Sequence, residues 1–389
     1  MLSFIVFSML LNSMSVIILQ LSQNQQHSYT GLGMLEFFKD IPIALVSIFM
    51  VDYIKKRSYY SSLSIALIIC TLCSFTIPFV SEFWFLKIWF ILIGISFSIG
   101  KICVFSIIKN ISDNEKDFSK TMSRTEAAFM LGVFIVNIEF AIILNSDYKD
   151  YWKFGFWLVG IISSWAAFQF YRIDKQNVFE IDKSQSKEVI DFRILFDYKS
   201  ILFFTIVVII VFTEQIFNSW LPTFYKHTLK ADSFFALQSS AFLALFSFIG
   251  RLLASKAVVK FSPMKIFFFC LISGIILTSS AYIIGQDTDV KVKILMFLFP
   301  MVGIFTAPLY PMLNSKYLSK FSERRVGKIV SIIILFTSLG GSIGSMSTAY
   351  IFQKNLGNYY LLFATIPLIL ILIFSTFFFF FLKISEYIK

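Results

Sequence analysis

Apolar runs of about twenty residues recur along this chain with short polar gaps between them, and no other feature narrows the choice of fold as far. Each run can cross a hydrocarbon core of ~30 Å at about 1.5 Å per helical residue. In lipid, backbone polar groups have only each other as partners. Runs of this kind therefore span as α-helices, and the alternating pattern of a membrane β-barrel is absent. Taken between charged residues, the runs fall near 2–21, 33–52, 60–79, 86–107, 124–144, 152–171, 200–221, 233–254, 264–284, 292–312, 328–352 and 357–382. The expectation is an all-α membrane protein with twelve transmembrane helices. Composition agrees: the chain is 57% hydrophobic and 15% charged, against roughly 45 to 50% apolar residues in a soluble domain.

The formal charge of +11 raises the question of a nucleic-acid partner, but its placement gives a plainer account. With the N-terminus on the cytoplasmic side, the cytoplasmic segments hold 24 of the 34 Lys and Arg residues and the opposite face holds 8. A bias of this sign orients a membrane protein with both termini inside, and the expected location is the cytoplasmic (inner) membrane, with the lipid bilayer and no nucleic acid as surroundings. The Met-Leu-Ser start lacks a basic leader, so the first run reads as a retained helix. The longest polar segment, from Arg172 to Lys199, falls between the sixth and seventh spans. It divides the chain into a six-helix half at 1–171, a cytoplasmic linker at 172–199 and a second six-helix half at 200–389. The four cysteines, Cys70 and Cys73 of "CTLC" among them, all lie in predicted spans. They read as packing residues, and neither a metal nor a cofactor is expected.

After the second span comes "DYIKKR", Asp52 to Arg57. On charge alone it is a cytoplasmic anchor. In position and content it resembles the loop G-x-x-x-D-R-x-G-R-R/K that the major facilitator superfamily carries between its second and third spans. Asp52, Lys56 and Arg57 match the acid and the paired cations, while Ile48, Tyr53 and Lys55 stand where the family has glycine, arginine and glycine. In the second half, Gly250 and Arg251 of "FIGRLLASK" occupy the equivalent place without the acid. The resemblance, which extends to the six-plus-six layout, implies a secondary transporter in which Asp52, Lys56 and Arg57, with Arg251 in the second copy, form a cytoplasmic latch.

Charges inside the spans cost several kcal/mol if they face lipid, so each is a functional candidate. Lys39 lies thirteen residues before Asp52, which places its ammonium ~10 Å inside the membrane boundary. Glu36, Lys39 and Asp40 share one helix face. Two readings stand side by side: a self-neutralising patch sealing the outer vestibule, or a lysine free to meet an anionic solute. Lys101, past the middle of the fourth span, is too deep to reach the interface easily and has Glu126 as its nearest acid in the layout. It too is either a structural pair or a substrate cation. Glu214, in "VFTEQIFNSWLPTFY", stands about 21 Å along the seventh span and forms a polar stripe with Gln215, Asn218 and Trp220. A carboxyl in such a setting is suited to exchanging protons, and Glu214 is the expected coupling acid, with Glu126 and Asp40 assisting. Asn12 and Gln20 offer hydrogen bonds from the first span.

Three further stretches have structural readings. Gly340 and Gly344 in "FTSLGGSIGS" form a small-xxx-small packing face. "APLYP", Ala307 to Pro311, breaks the tenth span, and "FFFFF", Phe377 to Phe381, reads as a lipid-facing surface. His27 and His227 occupy equivalent loops, where solvated histidines are commoner than metal ligands.

The resemblance thus implies a monomeric carrier that moves a small solute with protons by rocking two halves about a midplane site. Lys39, Lys101, Asn12, Gln215, Asn218 and Trp220 are the expected solute contacts. The polar "FNSWLPTFY" and "FFKDIP" segments are similar to solute symporters of the fucose-permease kind. Rival readings are an exporter or antiporter of a drug or metabolite, an importer of a carboxylate siderophore, and a non-transporting receptor that kept the fold.

Overall fold

The computed structural model describes residues 1–23, 28–50, 53–54, 58–80, 82–111, 115–176, 197–258, 260–285, 295, 298–318 and 323–387. Every regular element among the described residues is helical. Among the described residues, ten helices are long and apolar enough to cross a membrane. The second and tenth expected spans are not among the ten; each runs into residues outside the described ones, and each is interrupted where it is described. The second is a one-turn helix, α3 (Tyr29–Gly33), followed by α4 (Leu35–Phe49), which at 15 residues rises only about 22 Å and carries three charges. The tenth is broken into α12 (Val302–Thr306) and α13 (Leu309–Leu318), as "APLYP" predicts, because Pro308 and Pro311 cannot donate backbone hydrogen bonds.

The first span consists of α1 (Leu2–Asn12) and α2 (Met14–Gln23) with a turn at Ser13. The long helices that follow are α5 (Tyr59–Thr76), α6 (Phe83–Ile111), α7 (Glu115–Leu144), α8 (Phe156–Gln176), α9 (Tyr198–Thr223), α10 (Ser233–Ala257), α11 (Pro263–Gly285), α14 (Glu323–Gln353) and α15 (Tyr360–Tyr387). Helices before residue 177 pack mainly among themselves, α5 on α6 and α8, α4 on α6, and α1 on α7. Those after residue 196 do the same, α9 on α14 and α15, and α10 on α12. Contacts between the two sets run mainly through α7 with α10, α3 and α4 with α14, and α2 with α9.

Each span reverses the direction of the one before, with α1 and α2, α3 and α4, and α12 and α13 each taken as one span, so the connections sort onto two faces: a terminal face, where Met1 lies, and a far face. On the far face Lys153 Nζ donates to the Val80 carbonyl at 2.9 Å, and the Tyr29 amide to Gln353 Oε1 at 3.0 Å. On the terminal face Ser58 bonds Asp174, and Ser200 bonds Tyr317 at 2.7 Å.

The glycines of α14 serve the packing role read from the sequence. A Cβ on Gly344 would lie 2.6 Å from the Phe212 carbonyl oxygen, and one on Gly340 would run into the Val208 carbonyl, so α14 and α9 approach backbone to backbone. The phenylalanine run corrects its expectation. Phe377 and Phe380 are exposed, but Phe378 and Phe379 are buried, because a continuous apolar run on a helix must turn one side inward. Phe379 packs edge-on against Phe267 and Phe268.

Candidate functional site

Two clusters of charge lie inside the helix bundle, and their geometries differ. The first sits in the far half of α4. Glu36 and Lys39 are one helical turn apart and form a close ion pair, with Asp40 Oδ1 3.8 Å from the same ammonium. Glu36 is fully buried, and Lys39 and Asp40 are each 7% exposed. The cluster also reaches across the molecule. Gln215 Nε2 and Ser219 Oγ, both on α9, donate to Glu36 Oε1 at 2.6 and 2.8 Å, and Ser342 Oγ, on α14, donates to Asp40 Oδ2 at 2.9 Å. Gly341 makes room for this approach, since a Cβ there would stand 2.9 Å from Asp40 Oδ2. Buried carboxylates cost little only when paired and hydrogen-bonded, and these are both.

The second cluster lies deeper and is loose. Arg251 of α10 has Glu126 Oε2 of α7 at 3.6 Å, and it reaches the carbonyls of Glu126 and Ala307 at 3.5 and 3.4 Å. All three contacts are longer than the ~2.7–2.9 Å of a strong charge-assisted hydrogen bond. The Ala307 carbonyl accepts because residue 311, its donor in an unbroken helix, is a proline. Lys101 of α6 has no carboxylate in ion-pair range among the described residues. Its ammonium lies over the rings of Phe97 and Phe105, 5.6 and 5.8 Å from their centroids. Glu214 of α9 has a buried oxygen, Oε1, with no hydrogen-bond partner among the described residues. Lys101, Glu126, Arg251 and Glu214 lie within electrostatic reach of one another. Glu214, Asn218, Ser247, Thr306 and Arg251 line a cavity of about 20 Å³, the room that roughly one water needs.

Helices from both ends of the chain thus meet around a polar interior, with hydrogen bonds to Glu36 and Asp40 joining them near the far face. The family model of the Major Facilitator Superfamily matches residues 1–345. The chain belongs to that superfamily. It is a multi-pass membrane transporter of the facilitator fold, a family of carriers rather than enzymes. Among solved structures it is similar to a D-xylose–proton symporter, with 16% identity and a TM-score of 0.77 over 96% of this chain and 95% of that one. It is also similar to a bacterial homologue of the human lysosomal transporter Spinster in its inward-facing and occupied conformation, with 14% identity and a TM-score of 0.65 over 97% of this chain and 95% of that one. At such identities the likeness is one of fold. No curated protein matches the sequence.

In this facilitator the residues singled out from sequence take definite places. Lys39 is ion-paired with Glu36. Gln215 turns to the same cluster rather than to the cavity. Trp220 is fully buried, stacks on Phe352 at 5.5 Å and donates from Nε1 to Ser345 Oγ at 2.9 Å, so it packs α9 against α14. The Asn12 amide donates to its own helix at the Ser8 carbonyl, 3.0 Å away. Glu126 is the acid that acts most strongly on Lys101, as the layout suggests, but its ion pair is with Arg251. That residue, expected in a cytoplasmic latch, links α10 to α7. The other latch residues, Asp52, Lys56 and Arg57, lie outside the described residues, as does His27. His227 Nε2 sits 3.2 Å from Ser22 Oγ. The cysteines are all buried and free, and no group of metal-binding side chains occurs among the described residues.

Sequence reasoning missed Glu139 of α7, whose Oε2 is buried with no hydrogen-bond partner among the described residues. An acid inside an apolar run was signal enough to find it. It also missed Ser219 and Ser342, because nothing in sequence separates a serine that bridges two helices from one that bonds its own backbone.

Proposed function

We propose that this facilitator is a secondary active, proton-coupled importer of a small polar or anionic solute, working as a monomer in the cytoplasmic membrane. The six helices of 1–171 and the six of 200–389 form two halves joined by the linker 172–199, and alternating access arises as one half rocks against the other about the deep cluster. The terminal face is cytoplasmic, a reading supported by the 24 cations assigned to it against 8 opposite. The far-face cluster of Glu36, Lys39 and Asp40 is the outer closure, because its bonds to Gln215, Ser219 and Ser342 join the two halves.

The observation that carries the coupling is Glu214. Its carboxyl has an oxygen without a partner among the described residues, beside a loosely held ion pair and at the seam between the halves. A group in that position is placed to take up a proton from one side and release it to the other. The likeness to a proton symporter of a sugar supports the same reading. Glu214→Gln is expected to abolish accumulation driven by an imposed proton gradient while preserving exchange of labelled for unlabelled solute. Untargeted uptake of a metabolite extract into proteoliposomes, with and without an uncoupler, identifies the solute for that test. Unchanged accumulation by Glu214→Gln would remove the assignment.

A further inference from the structure

The deep cluster contains two cations and two acids, contributed by four helices. The charged and titratable groups around Glu214 are Lys101 of α6, Glu126 of α7, Arg251 of α10 and Tyr310 of α13. With every acid and base of the tetrad ionised, Lys101 and Arg251 balance Glu126 and Glu214. Each time an alternating-access carrier occludes its site, these groups are sealed away from water, and a net charge left inside is expensive. The site must therefore be close to neutral in two forms, the empty form that returns and the loaded form that delivers.

With all four side chains ionised in the empty form, those two requirements favour one charge for the cargo. The empty form is neutral with Glu214 ionised. A proton on Glu214 leaves one net positive charge, from Lys101 and Arg251 against Glu126 alone. A neutral solute carried with that proton would leave the excess in place, and a dianion would overshoot it. A single negative charge cancels it.

The groups lining the cavity, with Lys101 nearby, add the rest of the chemistry. Arg251 has only long contacts, and Lys101 rests on phenyl faces rather than a carboxylate, so both cations can gain from an incoming carboxylate. The cavity also presents acceptors. Residue 222 is proline, which deprives the Asn218 carbonyl of its donor four residues on, as Pro311 deprives that of Ala307, and both residues line the cavity. Carbonyls of this kind, together with the Asn218 amide and the Ser247 and Thr306 hydroxyls, suit a solute that carries hydroxyl donors.

Resting on the transport reading above, we propose that the solute is a small hydroxylated monocarboxylate. It is held as a monoanion by Arg251 and Lys101 and carried with one proton on Glu214, so that each cycle moves no net charge.

The test uses the purified full-length protein in liposomes with an imposed inward proton gradient, the membrane voltage being clamped with potassium and valinomycin. Radiolabelled D-gluconate and D-glycerate are the monoanion probes, D-xylose the neutral probe and succinate the dianion probe. The expected result is accumulation of at least one monoanion with a plateau that shifts less than twofold between 0 and −100 mV, whereas one net charge per cycle would shift it roughly fortyfold.

Arg251→Gln is expected to abolish monoanion uptake. Because that change leaves Glu126 without its partner, the double change Arg251→Gln with Glu126→Gln is measured beside it; a monoanion plateau in the double variant equal to the parent's would overturn the assignment of Arg251. Uptake of D-xylose but of neither acid overturns the substrate class and leaves proton-coupled transport standing. Monoanion accumulation that follows voltage overturns the stoichiometry. Movement of none of the four probes overturns the proposal; the transport reading falls with it only if the metabolite extract also yields nothing.

Discussion

If the outer closure is held by bonds between the halves, deleting one such bond should open the far face by an amount the structure sets in advance. Ser342 is the cleanest place to do so. Its hydroxyl donates to the Asp40 carboxylate at 2.9 Å, and Asp40 is only 7% exposed. A hydrogen bond to a charged group contributes about 1.5–3 kcal/mol. When the halves part, water takes over the carboxylate, so the bond counts in the closed form alone. Ser342→Ala should then raise the outward-open fraction by roughly ten- to a hundredfold, at about 1.4 kcal/mol per factor of ten.

Ser22→Cys supplies the reporter. Ser22 is 6% exposed, and its hydroxyl lies 3.2 Å from His227 on the same seam. With the four buried native cysteines replaced by alanine, the rate of alkylation by a water-soluble maleimide in nanodiscs follows the open fraction. Ser47→Ala is the control. Ser47 is also buried on α4, but its hydroxyl donates to the Ala44 carbonyl of its own helix at 2.8 Å and joins nothing across the seam. An unchanged rate in Ser342→Ala, or an equal rise in Ser47→Ala, would refute the reasoning.

Lys39→Met leaves Glu36 and Asp40 buried without their shared cation, and loss of one partner from a buried pair costs about 3–5 kcal/mol. Thermal unfolding in detergent should show the loss, and adding Glu36→Gln and Asp40→Asn should recover most of it. Gly344→Ala puts a methyl group against the Phe212 carbonyl, where a Cβ would be 2.6 Å away. It should lower stability by about 1–3 kcal/mol, whereas Gly274→Ala, whose nearest neighbour would be 3.7 Å away, should have little effect in the same unfolding assay.

The fold was legible because lipid removes most alternatives. A chain of long apolar runs has few structures open to it once backbone groups must pair within the run. The intramembrane charges were legible for the same reason, since an ionised group at depth is conspicuous in sequence. Their partners were less so. Glu36 with Lys39 follows from a spacing of three on one helix, but Glu126 with Arg251 joins residues 125 positions apart, and no periodicity encodes that. The bridging serines were hidden by their own ambiguity: Ser47, Ser342 and Ser345 look alike in sequence, and only the packing of α4, α9 and α14 distinguishes them. Trp220 is ambiguous for a related reason. An aromatic beside a polar stripe suits a cavity wall, and here the same indole is stacked and hydrogen-bonded between two helices.

The contrast between the two clusters bears on how the charges divide the work. Glu36, Lys39 and Asp40 belong to one helix, so their ionic contacts travel together whenever α4 moves; in the proposed cycle, opening the far face would exchange three hydrogen bonds across the seam for bonds to water and separate no charges. The tetrad is distributed over α6, α7, α9 and α10, two of them before residue 177 and two after residue 196. Any displacement of one set against the other changes the Glu126–Arg251 distance, already 3.6 Å, and with it the field at Glu214. A closure can afford a tight, self-contained arrangement because it must form and break reproducibly whatever is inside. A site that distinguishes loaded from empty needs its balance to depend on the occupant, and loosely paired charges on separate helices provide that dependence.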